Sequence, residues 1–401
     1  MIELLAPAGD LQKLKVAIDY GADACYIGGE LFGLRTASAS FTIDNIKEAL
    51  EYAHSRGKKV YLVLNIIPHN EDIEQLKQYL EEIKGLPIDG FIVSDPGTLK
   101  LIRESLGYVE IHLSTQANTT SAASAAFWAD QGVKRIILAR ELNLEEISHI
   151  VKTVPELDFE VFVHGAMCMS YSGRCLISSF LTGRDANRGD CAQSCRWRYH
   201  LVEEKRPGEY FPIEETEQGT AIMSSKDLAA LPILDQVIQT GVKSLKLEGR
   251  NKSIFYVASI VRIYREAIDR IERGEYHYED LYDEMLKVSH RDYSTGFFMG
   301  HPDQAQNYGD KGYIRDYQFV GRVLDYDDTT GRALIEQRNH FKLGDEMEAF
   351  GPDYRLVRFQ VNDIMSTQGQ AQESAPHPMQ QLWLTMPKVE PGDLIRRPSS
   401  N

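Results

Sequence analysis

The chain has 401 residues, 43% of them hydrophobic, and a formal net charge of −15. That length supports one large domain and a smaller one. The acidic balance argues against a surface wholly adapted to nucleic-acid phosphates, while leaving room for a local basic patch. No run of about eighteen apolar residues occurs, so no ordinary membrane-spanning helix is expected.

The opening MIELLAPAGD reads as a strand running into a turn. It lacks the basic start and apolar run of a signal peptide, which makes the cytoplasm the expected location. Disulfides are rare there, and clustered cysteines serve metal binding or redox work.

Short apolar runs then recur in chain order: IELLAPAG (Ile2 to Gly9), ACYIGG (Ala24 to Gly29), VYLVLN (Val60 to Asn65) and GFIVSD (Gly90 to Asp95). EIHLSTQ (Glu110 to Gln116), RIILARE (Arg135 to Glu141), EVFVHG (Glu160 to Gly165) and SLKLEGR (Ser244 to Arg250) complete a set of eight. Continuous apolar strands of this kind belong to parallel sheets covered on their outer face. Most intervening segments suit one amphipathic helix. IDNIKEALEYAHSRG places Ile43, Ile46, Leu50 and Ala53 on one face and ends at Gly57. EDIEQLKQYLEEIKG and NLEEISHIVKTV behave similarly. The pattern predicts a (β/α)8 TIM-like barrel over residues 1–305. A doubly wound sheet is the rival, but the G-x-G-x-x-G fingerprint that would favour it is absent, since GGELFG has the wrong spacing.

One connection breaks the rhythm. Between the seventh and eighth strands lies an insertion at about 165–235 with an acidic loop, EEKRPGEYFPIEETEQG, and the spacing C-x6-C-x15-C-x3-C over Cys168, Cys175, Cys191 and Cys195. Four thiolates can hold a structural zinc ion or an iron–sulfur cluster, or can be unrelated buried thiols. Cys25 lies inside a strand and reads as a small core residue. Arg174, Arg184, Arg188, Arg196 and Arg198 surround the cysteines. They offset thiolate charge or form a phosphate-binding rim, and Tyr171 and Trp197 could stack on a base or pack within the insertion. From about Tyr313 short alternating strands with TTGR and KLGD turns predict a small antiparallel β-barrel over 306–401, a module for RNA or simply for docking.

EVFVHGAMCMSYSGRCLIS resembles the signature of the collagenase-like peptidases, the unknown-type peptidase family thirty-two. The matching positions are Glu160, Phe162, Gly165, Ala166, Met167, Cys168, Gly173, Cys175, Ile177 and Ser178. LLAPAGD, LEGR at 247–250 and HRDYSTGFF near 290 are similar to the family as well. The family's name implies proteolysis. Its branches concerned with RNA imply instead an iron–sulfur protein with a 4Fe–4S cluster on four cysteines, here Cys168, Cys175, Cys191 and Cys195. The tRNA branch, the most similar, implies oxygen-independent, prephenate-dependent hydroxylation of the wobble uridine to 5-hydroxyuridine. The resemblance therefore implies tRNA as a partner and, by another branch, a paralogous partner protein. Neither DNA nor a membrane is expected.

Barrel enzymes place chemistry at the C-terminal ends of their strands. Asn65, Asp95, Gln116, Arg140, Glu141, His164, Glu248 and Arg250 are the candidates there, joined by Arg35 after the second strand. Arginine suits the carboxylates of a prephenate-like acid, and Glu248 or His164 could move protons. His290 and Tyr293 are further candidates for the rim or for linking the domains. A peptidase is the alternative. H-E-x-x-H and G-x-S-x-G are both absent, and EISH at 146–149 sits on a surface helix. A Cys168–His164 pair remains conceivable, unless Cys168 binds iron.

Overall fold

The computed structural model describes residues 2–29, 41–168, 170–171, 174–188, 190–197, 201–202, 210–211, 225–300 and 313–399. Seven parallel strands follow in order: β1 (Glu3–Ala8), β2 (Ala24–Gly28), β3 (Lys59–Leu64), β4 (Gly90–Val93), β5 (Ile111–Leu113), β6 (Arg135–Ile137) and β7 (Asp158–Ala166). An eighth strand, Ser244–Leu247, pairs with both β7 and β1. Ser244 lies opposite Glu160 on one side and Glu3 on the other, which closes the barrel. The fold is the TIM-like barrel that the strand pattern predicts. Every residue of β2 and β4 is buried, because side chains fill the inside while helices cover the outside.

The covering helices are α1 (Leu11–Asp19), α2 (Ile43–His54), α3 (Ile73–Glu82), α4 (Pro96–Leu106), α5 (Ala122–Asp130) and α6 (Leu144–Thr153). After them come α7 (Ile177–Thr182) in the insertion, then α8 (Leu234–Gln239), α9 (Ile254–Arg273) and α10 (Glu279–Met285). Their starts are written locally. Asp10, Thr42, Asp95, Asn143 and Ser253 each accept a backbone N–H from the first turn. Asn143 and Glu146 cap reciprocally. In α2, Ile46, Leu50 and Ala53 are buried as expected and Ile43 only partly so.

The barrel floor holds charges where such barrels hold branched apolar layers. Glu160 is fully buried and accepts from Lys246 Nζ at 2.8 Å and from Arg135 Nη1 at 3.2 Å. Arg135 also pairs with Glu3, which accepts from Tyr61 OH at 2.7 Å and Ser244 Oγ at 3.0 Å. Two cations face two carboxylates, so the network is neutral. Burial pushes the Glu160 carboxyl up, but Lys246 and Arg135 outweigh it and hold it below its ordinary value.

The C-terminal β domain is antiparallel, built on Tyr317–Asp327, Arg332–Gln337, Glu346–Phe350, Leu356–Gln360, Gln381–Thr385 and Leu394–Pro398. The expected boundary near residue 305 lies outside the described residues. The β domain runs along α1, α9 and α10. Tyr20 OH donates to Phe350 O and Gly392 O, and Phe255 stacks on Phe319 at 5.7 Å. Arg396 is buried between Glu284 of α10 (2.7 Å) and Glu348 (2.8 Å).

Removing one partner of a buried, balanced ion network leaves an uncompensated charge. Glu160→Ala is therefore expected to cost about 3–5 kcal/mol in urea unfolding, measured against Lys47→Ala, which loses only the exposed pair with Asp44.

Candidate functional site at the barrel mouth

The residues expected at the strand ends divide into three groups. The first builds the rim. Asn65 Nδ2 donates to Ser114 Oγ at 3.2 Å, and Ser94 Oγ donates to Asn65 O at 3.0 Å, which ties β3, β4 and β5 together at the mouth. Asp95 is the N-cap of α4, accepting from Thr98 N at 2.8 Å, so local structure accounts for it.

The second group faces the mouth. Arg140 lays its guanidinium over the Phe162 ring at 4.1 Å and donates to Ala166 O at 2.7 Å. Arg250 lies against the end of β2. A Cβ at Gly28 would sit 2.3 Å from its Nη1, and one at Gly9 would sit 2.1 Å from its carbonyl oxygen. Two glycines thus make room for one arginine, and the LLAPAGD and LEGR segments meet there. Glu248 is buried; its N–H donates to His164 O, and its own carbonyl accepts from Tyr256 OH at 3.2 Å. Burial pushes the Glu141 carboxyl up, and its Oε2 has no partner among the described residues. Gln116 Oε1 is likewise buried without a partner among them.

The third group is turned away. The β7 ladder slips between Lys246 and Leu247, so that Phe162 faces Lys246 but His164 faces Leu247. This bulge re-aims His164 toward α9, where it packs against Tyr256, Tyr264 and Tyr293 with ring centroids 5.4–5.9 Å apart. Tyr264 OH donates to Val163 O, so its oxygen can accept from His164 Nδ1 at 3.5 Å. The His164 Nε2 atom then carries a bare lone pair, buried and without a partner among the described residues. Burial pulls the His164 pKa down to about 3. His290 stacks on Tyr293 in the same cluster, and Arg291 pairs with Asp227 at 2.6 Å. Alternation along β7 does not reveal this departure. The clue is the run of aromatics in α9 and HRDYSTGFF.

The insertion leaves the end of β7 at Gly165, whose φ of +113° suits glycine and where a Cβ would sit 2.7 Å from the Glu248 Cβ. It returns as the short strand Asp227–Ala229, antiparallel to β7. Between these points it is clamped across the mouth. Arg188 pairs with Glu71 (3.0 Å) and Asp72 (2.9 Å) beyond β3. Ile67 N donates to Asn187 O, and Arg174 Nε donates to Asn118 Oδ1 at 2.8 Å beyond β5. Asn118 is left-handed, with φ +54°. These clamps join residues far apart in the chain, and no local pattern in the sequence signals them. Arg184 pairs locally with Asp190 at 2.6 Å. Arg184 and Arg188, read as either thiolate charge balance or a phosphate-binding rim, pair here with carboxylates. Arg35 and Arg198 lie outside the described residues, as does the side chain of Arg196.

None of the four insertion cysteines is in a disulfide; Cys168 and Cys191 are exposed, Cys175 and Cys195 half-buried. Cys25 is buried in the core. Asn187 Nδ2 donates to Cys175 O at 3.5 Å, and Ala192 N to Ser178 Oγ at 2.9 Å; α7 packs on the Ser194–Arg196 turn. The segments bearing Cys175, Cys191 and Cys195 are therefore neighbours. Among the described residues no three Cys, His, Asp or Glu side chains converge as a metal site. The donor set fits an iron–sulfur cluster in kind, four cysteines outside any disulfide on one insertion, and closing them around it would require the segments to draw together.

These features define a class: a closed (β/α)8 barrel with a thiol-bearing insertion clamped over its mouth and a β domain on its flank. The chain belongs to peptidase family U32. The family model matches residues 9–308, and the model of the family's C-terminal domain matches residues 315–396. The chain is 40% identical to tRNA hydroxylation protein P1 of Bacillus subtilis over 98% of its own length and 94% of that protein's. It is 40% identical to the 23S rRNA 5-hydroxycytidine synthase of Escherichia coli, over 68% of its own length and 40% of that protein's. It is 32% identical to a protein named collagenase from Porphyromonas gingivalis, over 90% and 89% of the two chains. Among the described residues no helix is long and apolar enough to cross a membrane.

Two outcomes follow. The His164 pKa of about 3 lies below the ordinary 6.5, so the unfolded chain takes up a proton in that window while the folded chain does not. Stability should fall as pH drops below that ordinary value, by about 1.4 kcal/mol per pH unit. Urea denaturation of His164→Gln should show a shallower slope there. Arg188→Ala should speed limited proteolysis within the insertion without a comparable loss of global stability, because only a surface clamp is lost.

Proposed function

We propose that this protein hydroxylates RNA, and that its substrate is the wobble uridine of tRNA, converted to 5-hydroxyuridine. The observation that carries the reading is the near-complete, 40% identical match to a tRNA hydroxylation protein. The match to an rRNA 5-hydroxycytidine synthase adds support, since its printed product is also a hydroxylated pyrimidine.

Replacing C5–H by C5–OH on a pyrimidine is a two-electron oxidation, and amino-acid side chains do not supply one. We therefore assign Cys168, Cys175, Cys191 and Cys195 to a 4Fe–4S cluster, with prephenate as co-substrate and no requirement for molecular oxygen. Such a cluster supplies electron transfer when bound. The chain's own residues do the rest. Arg140 and Arg250 offer planar guanidinium groups to carboxylates at the mouth. Glu141, its carboxyl pushed up by burial, is suited to hold and deliver a proton.

A hydrolase is the reading that the relative named collagenase favours. A cysteine peptidase pairs its thiolate with a histidine. His164 packs among tyrosines and meets no thiol among the described residues, so the geometry lends the cysteine–histidine pairing no support.

In cells lacking the gene and any paralogue, tRNA nucleoside analysis should show less 5-hydroxyuridine and its derivatives. The wild-type gene should restore them and Cys175→Ser should not. An unchanged profile overturns the RNA assignment. Anaerobically purified protein should be brown and contain iron and acid-labile sulfide, both reduced in Cys175→Ser; a colourless zinc protein overturns the cluster assignment.

A further inference from the structure

The insertion carries apolar groups that the clamps and the thiols do not use. Phe180 is 83% exposed, Leu176 56%, Tyr171 52%, Leu181 51% and Trp197 47%. These residues are close together in the fold. Tyr171 O accepts from Arg174 N, Leu176 O accepts from Phe180 N, and α7 packs on the Ser194–Arg196 turn that precedes Trp197. A concentration of large apolar side chains in water marks a contact surface.

Charge selects the occupant. From Cys168 to Arg198 the sequence has five arginines and two aspartates, with no lysine or glutamate, in a chain whose net charge is −15. Arg184 and Arg188 are neutralised by Asp190, Glu71 and Asp72. Arg174 is exposed and donates to a neutral amide, Asn118, so its full charge remains beside Tyr171. Aromatic rings beside an uncompensated guanidinium suit unpaired bases on a phosphate backbone: the rings stack on the bases and the cation meets a phosphate. A paired helix offers such rings no base faces.

We propose that Tyr171, Arg174, Phe180 and Trp197 form a docking surface for single-stranded RNA that brings an unpaired nucleotide to the barrel mouth. The inference rests on the RNA reading above and names the part of the substrate that is gripped. Leu176 and Leu181 supply the apolar bed between the rings.

The test uses the full chain and fluorescence anisotropy with labelled oligouridine and, separately, a blunt RNA duplex. The wild type should prefer the single strand. Phe180→Ala and Trp197→Ala should each weaken it roughly tenfold, and Tyr108→Ala, another exposed aromatic, should leave it unchanged. Circular dichroism and the urea midpoint should match the wild type, since the removed rings are solvent-facing. Unchanged oligouridine affinity in the double variant overturns the proposal, as does equal affinity for duplex. A stoichiometric protein partner that is lost in Phe180→Ala, with RNA affinity intact, also overturns it by assigning the face to protein. The failures are distinguishable: tRNA profiles unaffected by gene loss defeat the hydroxylation reading, whereas normal hydroxylation with a normal KM for tRNA in the ring variants defeats only this surface.

Discussion

The barrel closes where β7 meets the eighth strand, and the Glu160–Lys246 ion pair bridges that closure inside the barrel. Arg135 and Glu3 extend it to β6 and β1, so one neutral network joins four strands around the seam. An apolar layer could fill the same volume, often with equal or greater stability. A charged layer is more demanding about geometry, because each carboxylate oxygen must meet its donor. Glu160 fixes the register of β7 at its start. From there the strand runs to the bulge at His164, to Gly165 and into the insertion. The position of the thiols over the mouth thus depends on a pairing at the opposite end of the same strand.

The insertion is held by contacts of a different kind. Its attachments at Arg188, Asn187 and Arg174 are surface hydrogen bonds and ion pairs, individually weak. Such attachments can open without disturbing the barrel. That suits the rearrangement that the proposed cluster would need: none of the four cysteines is in a disulfide and three lie on neighbouring stretches, yet no three metal-binding side chains converge among the described residues. A firm barrel beneath a loosely tied cover allows the thiols to close on a group while the mouth stays fixed.

The barrel was legible because its strands are short, continuous and apolar, and its helices begin with capping residues such as Asp10, Thr42 and Asn143. The thiol spacing was legible because cysteines are scarce. The orientation of individual side chains was not. His164 reads as an inward residue by alternation, and one slipped register sends it outward. Asp95 reads as a mouth carboxylate, but its commonest role after a strand is to cap the next helix. Glu3, Arg135, Glu160 and Lys246 are single charges in apolar strands, a visible signal whose partners appear only when the strands are wrapped into a barrel.

To act on RNA as proposed, a chain this acidic could not rely on counterion release along a broad basic face. The structure offers a local solution instead. Arg184 and Arg188 are neutralised by carboxylates, and exposed Tyr171, Leu176, Phe180, Leu181 and Trp197 sit on the insertion with Arg174, which donates to a neutral amide. The β domain lies along α1 from Tyr20 to Gln12, where Arg338 donates to the Gln12 side chain at 3.4 Å. Gln12 lies in the first turn of α1, just beyond the mouth end of β1. The β domain therefore packs beside the start of α1, next to the mouth end of β1. An RNA held as proposed would meet the insertion through its unpaired bases. Recognition would then rest on stacking, which selects a nucleotide whose base is unpaired over one locked in a helix.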